Sequence, residues 1–267
     1  MGYRARLWRT IDRKKAAYRS KMKPVFMIAL EKQIKPVYEK ISETTDIRDI
    51  EITRLDNEPV MRAYERLYKS TAFDFAVFDR RNAKSMKGYN ILKGEEEIIE
   101  DLIMEEILAY LDLHVGETVV AVGNTSLVLI RRLLDKLVPD IVEQGVGAGQ
   151  AQTMLRDSIK SAWHEAKYFR TERIVRTEVN RAANWGSMKG VKSTEIPHDK
   201  VWLSALYANS RPEHTAGDGQ KVDIDSAFYI GGESLMFPGD PAGSAGNVIN
   251  CLCSMTYETK GADLIAV

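Results

Sequence analysis

Arg173-Ile-Val-Arg-Thr-Glu-Val-Asn-Arg-Ala-Ala-Asn184 reads as a helix with two faces. Ile174, Val175, Val179, Ala182 and Ala183 are apolar, while Arg173, Arg176, Thr177, Asn180, Arg181 and Asn184 are polar. Arg176, Asn180 and Asn184 repeat at four and stack along one line of the helix. Glu178 can pair with Arg181 three residues on. Such a line is either a solvated face or a polar seam docked against the segment that follows, where each group needs a hydrogen-bond partner. The following segment has a different texture. After Gly190, Gly, Pro, Ser and Asp rise and the apolar runs shorten. Residues 201–207, 227–230 and 247–258 carry strand patterns.

Upstream the periodicity is helical. Pro24 opens a predicted helix that ends near Ile41 and Ser42, with Val25, Ile28, Ala29, Lys32 and Pro36 roughly on one side. A second is predicted over 57–81. Glu58-Pro59 stands in its first turn, and Val60, Tyr64, Leu67, Tyr68, Thr71 and Phe75 follow at threes and fours. Residues 82–94 read as a connector. Residues 95–111 form an acid-led helix with Ile98, Leu102, Ile103, Ile107, Leu108 and Leu111 as its stripe. Asn124 or Thr125 is the expected cap of a helix over 126–143. Two further helices are predicted over 150–162 and 168–189, the last ended by Gly186 or Gly190. Gly145-Val146-Gly147-Ala148-Gly149 follows a helix and not a strand, so it reads as a helix–helix turn and not a phosphate loop. The expected fold is α+β. Residues 1–145 form a helical region with a basic N-terminal arm. Residues 146–267 form a second domain of helices followed by short strands, so that a mainly helical N-terminal two-thirds precedes a small β-containing C-terminal module.

Composition narrows the function classes. The chain has 267 residues, 44% hydrophobic and 28% charged, with 38 basic and 38 acidic side chains. This excludes a collagen, a disulfide scaffold, a chain disordered throughout and a wholly basic nucleic-acid binder. Two cysteines in a C-x-C pair do not suggest an oxidising compartment. No run of 18 apolar residues occurs, so no transmembrane helix is predicted. The run Val25-Phe-Met-Ile-Ala-Leu30 is too short for a signal peptide. Arg6 stands where a myristoylation motif wants Ser or Thr.

The balanced charge hides segregation. Residues 1–23 hold nine basic groups (Arg4, Arg6, Arg9, Arg13, Lys14, Lys15, Arg19, Lys21 and Lys23) against one acid, Asp12, which makes +8. With Tyr3, Trp8 and Tyr18 interleaved, this arm is either a docking or DNA-binding element or a solvated helix face. Residues 95–117 hold nine acids and no Lys or Arg, and residues 201–267 hold eight acids against three bases.

His114, His164 and His198 lack a second ligand type at metal spacing. The tail Asn247-Val-Ile-Asn-Cys251-Leu-Cys253-Ser-Met-Thr-Tyr257 alternates, so a strand would put both thiols on one face. The i, i+2 spacing opposes a disulfide between them. Three readings stay open for the pair. Both cysteines can be small buried apolar residues. They can ligate a zinc ion with His214, with Asp218, Asp240 or His198 as the fourth donor of a closed site. One can be a nucleophile, with His214 as base and Asn250 as orienter. If no metal binds, His214 is expected to hydrogen-bond a backbone carbonyl or a carboxylate such as Asp240. No assembled catalytic constellation is visible, so the reading is of a protein without a reaction of its own and without a cofactor. The alternative is a thiol- or metal-dependent enzyme using His214 with Cys251 or Cys253.

The order of these elements carries a resemblance. Arg176-Thr177-Glu178, Asn184, Gly190, Trp202, Arg211-x-x-His214, Gly219-x-x-Val222, Phe228, Pro238-Gly239-Asp240-Pro241 and Asn250-Cys251-Leu252-Cys253 follow one another. The series, over about residues 150–257, closely resembles the C-terminal domain of the phage Mu F-like minor head proteins, the phage head morphogenesis family. Leu252 replaces the Arg usual between the two cysteines, and Asn209-Ser210 replaces the usual Asp ahead of Arg211, so roles resting on those charges do not transfer. The resemblance implies a minor capsid protein of a tailed phage or prophage that acts in head assembly at the portal. Its implied partners are portal and capsid proteins, with double-stranded DNA as a further one and no membrane. Its implied location is the virion, with the host cytoplasm during assembly.

Overall fold

The computed structural model describes residues 2–85, 93–205 and 207–260. It is an α+β protein, mostly helical through its N-terminal region and ending in a small module of antiparallel strands. The order is α1 (Tyr3–Gln33), α2 (Lys35–Glu43), a 3-10 turn (Ile47–Asp49), α3 (Glu58–Ser85), α4 (Lys93–Tyr110), α5 (Gly116–Glu143), α6 (Ala148–Lys192), β1 (His198–Leu203), α7 (Pro212–Ala216), β2 (Lys221–Asp223), β3 (Phe228–Ile230), β4 (Glu233–Leu235), α8 (Ala245–Val248) and β5 (Ser254–Thr259). The described residues fall into two compact units. The first takes Met1–Met22, Arg66–Tyr110 and Arg173–Val267, and the second takes Lys23–Glu65 and Leu111–Glu172. The expected division after residue 145 falls inside the second unit. Of the expected connector over 82–94, residues 86–92 lie outside the described residues.

Several helix boundaries differ from the sequence expectation. Pro24 does not open a helix but lies inside α1. The buried line there is Met22, Phe26, Ala29, Leu30 and Gln33, whereas Ile28 is exposed. The α3 stripe is as expected: Val60, Tyr64, Leu67, Tyr68, Thr71 and Phe75 are all buried. In α4 only part of the stripe is buried. Ile103 and Ile107 go inside with Tyr110, while Ile98, Leu102 and Leu108 stay exposed. No cap forms at Asn124 or Thr125. A π turn at Leu111–Val115 carries α4 directly into α5, and the Thr125 hydroxyl donates back to the Ala121 carbonyl at 2.6 Å instead. The two helices expected over 150–162 and 168–189 are one helix of 45 residues.

In the second unit α5 and the first part of α6 form an antiparallel pair around the turn at Gly145. A buried polar chain links their neighbours. Gln33 donates to Asn57 at 2.8 Å and accepts from Ser126 at 2.8 Å, and Arg170 donates to Ser126 at 2.8 Å and to the Val122 carbonyl at 3.1 Å. The helical run Glu96–Glu143 is long enough, and in one window apolar enough, to cross a bilayer by length and composition. Val115, Val119, Gly123, Ser126, Ile130 and Leu134 of that run are buried, and their spacing is that of a packing face.

In the first unit Gly186 and Gly190 do not end α6. They lie inside it, where a Cβ on Gly186 would come 2.1 Å from the Ala72 carbonyl oxygen and one on Gly190 would come 2.0 Å from that of Ala76. The missing side chains let α3 and α6 approach backbone to backbone. From Thr177 to Met188 every residue of α6 is buried, because the C-terminal module closes over it. β1 is central in the sheet β2-β1-β5, with both pairings antiparallel. β3 and β4 form a separate hairpin across Gly231-Gly232. The strand expected over 201–207 starts and ends earlier, at His198–Leu203. The strand expected over 247–258 begins only at Ser254, since residues 245–248 are helical and Asn250 has a positive φ of 59°.

Candidate functional site

The polar seam of α6 is the docked one. Asn184 donates to the Pro238 carbonyl at 2.8 Å and the Cys253 carbonyl at 3.1 Å. Arg181 donates to the Gly239 carbonyl at 2.8 Å and to Glu178 at 3.0 Å, and Tyr68 donates to the same carboxylate at 3.0 Å. Gly239 holds a φ of 90° with the Arg181 backbone against it, so a side chain there would be strained. Asp240 stops the loop by accepting from the backbone N–H of Met236 and Ala242. The Thr177 hydroxyl accepts from the Asn250 N–H at 3.0 Å, which ties α6 to the cysteine loop.

That loop and α7 build the site. Arg211 precedes α7 and donates to the Ile249 carbonyl at 2.7 Å, which brings His214 against the cysteine segment. Nδ1 of His214 lies 3.4 Å from Cys253 Sγ and 3.6 Å from Cys251 Sγ. Nε2 lies 2.5 Å from Asn247 Oδ1, not against Asp240. Trp202 packs edge-on against both the His214 ring and Phe228, with centroids 5.7 and 5.3 Å away. Gly219 closes the segment after α7 by donating its N–H to the Trp202 carbonyl. His214, Cys251 and Cys253 are all buried, and the two cysteines are free thiols. A hydrogen bond from Cys251 pulls Cys253 well below the usual thiol range against the effect of burial, and His214 adds to the pull. Donating that bond, together with burial, pushes Cys251 well above it. Burial works against the charged ring of His214, but the Cys253 and Asn247 contacts outweigh it and raise the group.

A cavity of about 300 Å³ opens beside these side chains, lined also by Arg176, Ala205, Tyr207, Asn209, Ser210, Arg211, Asn250 and Leu252. Among the described residues, His214, Cys251 and Cys253 form the one group of three metal-ligating side chains, with donor atoms all within 4.8 Å of one another. None of the expected fourth ligands joins them. Asp218 accepts from Arg4 and from the Ser204 N–H. Asp240 is spent on its loop. His198 sits at the start of β1 against the Ile196 carbonyl and Thr259. A closed site with four protein ligands is therefore not assembled among the described residues.

The basic arm is not a detached arm. Residues 3–22 are helical and packed in the first unit. Lys15 is fully buried and donates to Asn180 at 2.8 Å, Asn184 at 2.9 Å, Ser254 at 2.7 Å and the Cys253 carbonyl at 3.4 Å. Burial lowers its ammonium to about 7. Lys14 lies over the rings of Phe75 and Phe78 at 4.4 and 4.1 Å. Arg4 pairs with Asp218, Arg19 with Asp12 and, in the second unit, Lys23 with Glu172. Lys21 lies 5.7 Å from the Tyr18 ring. Arg6, Arg9 and Arg13 are exposed. Trp8 of the same helix is buried and donates to the Leu252 carbonyl at 2.9 Å, so α1 buttresses the cysteine loop from behind. Sequence reading missed Lys15, Trp8 and Asn247 as parts of this site. Nothing in their local sequence marks them, since their partners lie 33 to 244 residues away.

No family model matches the chain, and no solved structure matches it. One curated protein is similar over 100 residues at 36% identity: the NAD(+)--arginine ADP-ribosyltransferase EFV of Enterococcus faecalis (strain ATCC 700802 / V583). The match takes in 36% of this chain and 20% of that protein, so the chain spans about a fifth of the length of the curated relative it matches.

Proposed function

We propose that this chain is a minor head morphogenesis protein of a tailed phage or prophage. It acts in head assembly at the portal, with portal and capsid proteins as partners and no membrane partner. One observation supports the reading. The residues that carry the family resemblance are scattered from Arg176 to Cys253, yet most of them meet in one packed nucleus. Glu178, Asn184, Pro238, Gly239 and Cys253 share hydrogen bonds with one another or with Arg181, and Trp202 packs on both Phe228 and His214, whose ring meets the two cysteines. A motif whose members hold each other in place is what a structural assembly module requires. Exposed Arg6, Arg9 and Arg13 on α1 are the groups that would meet DNA phosphates. The test is mass spectrometry of density-purified particles, with a deletion in the encoding phage or prophage. The chain is expected in DNA-filled heads at few copies, and its deletion is expected to lower the yield of infectious particles. A chain absent from particles, or a deletion without effect on head yield, refutes the proposal.

The cavity favours a second reading. A substrate-sized void with His214, Cys251 and Cys253 in its wall is what a thiol- or metal-dependent enzyme needs. Modification of a single cysteine by iodoacetamide, far faster than free cysteine at neutral pH and abolished by His214→Ala, supports a nucleophilic thiol. Two unreactive thiols count against it.

A further inference from the structure

We propose that Cys251, Cys253 and His214 bind one zinc ion whose fourth position opens on the adjacent cavity. The two nitrogen–sulfur distances are those of a tetrahedral site. With Zn–S near 2.3 Å and Zn–N near 2.0–2.1 Å, a tetrahedral ion sets its nitrogen and sulfur ligands about 3.6 Å apart. Nδ1 of His214 stands 3.4 and 3.6 Å from the two sulfurs. The histidine nitrogen thus stands at ligand distance from both sulfurs, and all three donor atoms lie within 4.8 Å of one another.

The neighbouring groups select the ligating atom. The Asn247 amide nitrogen donates to the Ile230 carbonyl at 3.0 Å and to Glu233 at 2.9 Å, so its oxygen is the atom that faces the ring. That oxygen accepts from Nε2–H, which leaves the Nδ1 lone pair aimed between the two sulfurs. Ligating histidines are oriented in this way by a second acceptor. A single cation at that point would be met by all three donor atoms together. On binding, two S–H bonds break and two Zn–S bonds form. Two protons leave to solvent, and the two thiolates cancel the charge of the ion.

The open position follows from what surrounds the group. Among the described residues no fourth His, Cys, Asp or Glu side chain joins the group, and the three side chains line a cavity of about 300 Å³ together with Arg211, Arg176 and Asn250. Structural zinc sites are closed by four protein ligands, while three protein ligands leave room for water or an anion. The two arginines make an anion the favoured exogenous ligand.

The experiment uses the full chain from zinc-supplemented cells. Elemental analysis is expected to give about one zinc per chain, lost in the Cys251→Ser/Cys253→Ser variant. Asn247→Ala, which keeps all three ligands, is expected to weaken zinc by about 10- to 100-fold in a competition titration with a chelator. Because the cysteine variant can fail to fold, the metal-free wild type is also titrated with Co²⁺. A thiolate-to-cobalt charge-transfer band with intense tetrahedral visible bands, saturating at one equivalent, supports the site. Zinc no higher in wild type than in the cysteine variant, or cobalt binding without that band, overturns it. Azide added to the cobalt form is expected to shift the visible bands, and an unchanged spectrum overturns the open position.

Discussion

Alanine at Gly186 is expected to destabilise the protein, although the substitution ordinarily strengthens a helix. Gly186 lies inside α6, where Gly→Ala gains about 1 kcal/mol of helix propensity. Against this, the new methyl would stand 2.1 Å from the Ala72 carbonyl oxygen and 2.7 Å from both its carbonyl carbon and its Cα. All three are backbone atoms of α3 and cannot swing away. Restoring ordinary contact needs more than about 1 Å of separation between two helices buried at this point, and overpacking of that kind costs about 1–3 kcal/mol. Backbone on the opposing side puts this case at the upper end, near 3 kcal/mol, so the net loss is about 2 kcal/mol. At 2–4 °C per kcal/mol for units of this size, the midpoint falls by about 4–8 °C. Gly149 is the control, because it is in the same helix with open space around it. Gly149→Ala is expected to raise stability by about 0.5 kcal/mol. Thermal and urea unfolding followed by far-ultraviolet circular dichroism reads both. If Gly186→Ala is as stable as wild type or more so, the backbone-to-backbone packing of α3 and α6 is wrong.

Glu178→Gln removes the carboxylate beside Arg181, whose guanidinium is buried, and is expected to cost about 3 kcal/mol in urea unfolding. A loss below about 1 kcal/mol would show that the pair does not hold the seam. Lys200 is buried in β1, donates to the Met236 carbonyl and lies near the Phe228 ring; burial, with the Lys192 charge adding to it, lowers its ammonium to about 8. Since the unfolded chain keeps that proton up to about 10.5, stability should rise with pH between about 8 and 10.5, by up to about 1.4 kcal/mol per unit. Lys15, lowered to about 7, adds a rise of its own over this range, so Lys200→Met should reduce the slope without abolishing it, and an unchanged slope speaks against the assignment. Arg9→Glu/Arg13→Glu reverses two exposed charges of α1. In fluorescence anisotropy with duplex DNA it is expected to weaken binding and reduce the salt slope by about 2 while leaving the unfolding midpoint in place. Equal binding by variant and wild type, or no binding by either, removes DNA from the partners of this helix.

Periodicity carried the parts of this protein whose partners are close in sequence. The α3 stripe from Val60 to Phe75, the Glu178–Arg181 pair, the turn at Gly145 and the two faces of the helix around Asn180 each follow from spacing within a few turns, and each is present. The C-x-C pair was expected on one face of a strand; the two free thiols sit instead in a loop ahead of β5, where His214 meets both. Where two outcomes share one local pattern, only tertiary packing chose. Glycine at 186 and 190 reads as a helix end or as a close approach, and the Ala72 and Ala76 carbonyls decided for the approach. Lys15 is one of nine basic residues in 23 and carries no mark of its own. It is buried because Asn180, Asn184 and Ser254, more than 160 residues away in the chain, converge on its ammonium. The partner of His214 was open among many acceptors, and the fold supplied Asn247 because α8 and the β3–β4 hairpin bring that amide to the ring. Local sequence specifies dihedral preference and the direction of a face. It does not specify which distant group will meet that face, and a buried polar side chain depends on that meeting because an unpaired group in a dry interior is too costly to keep.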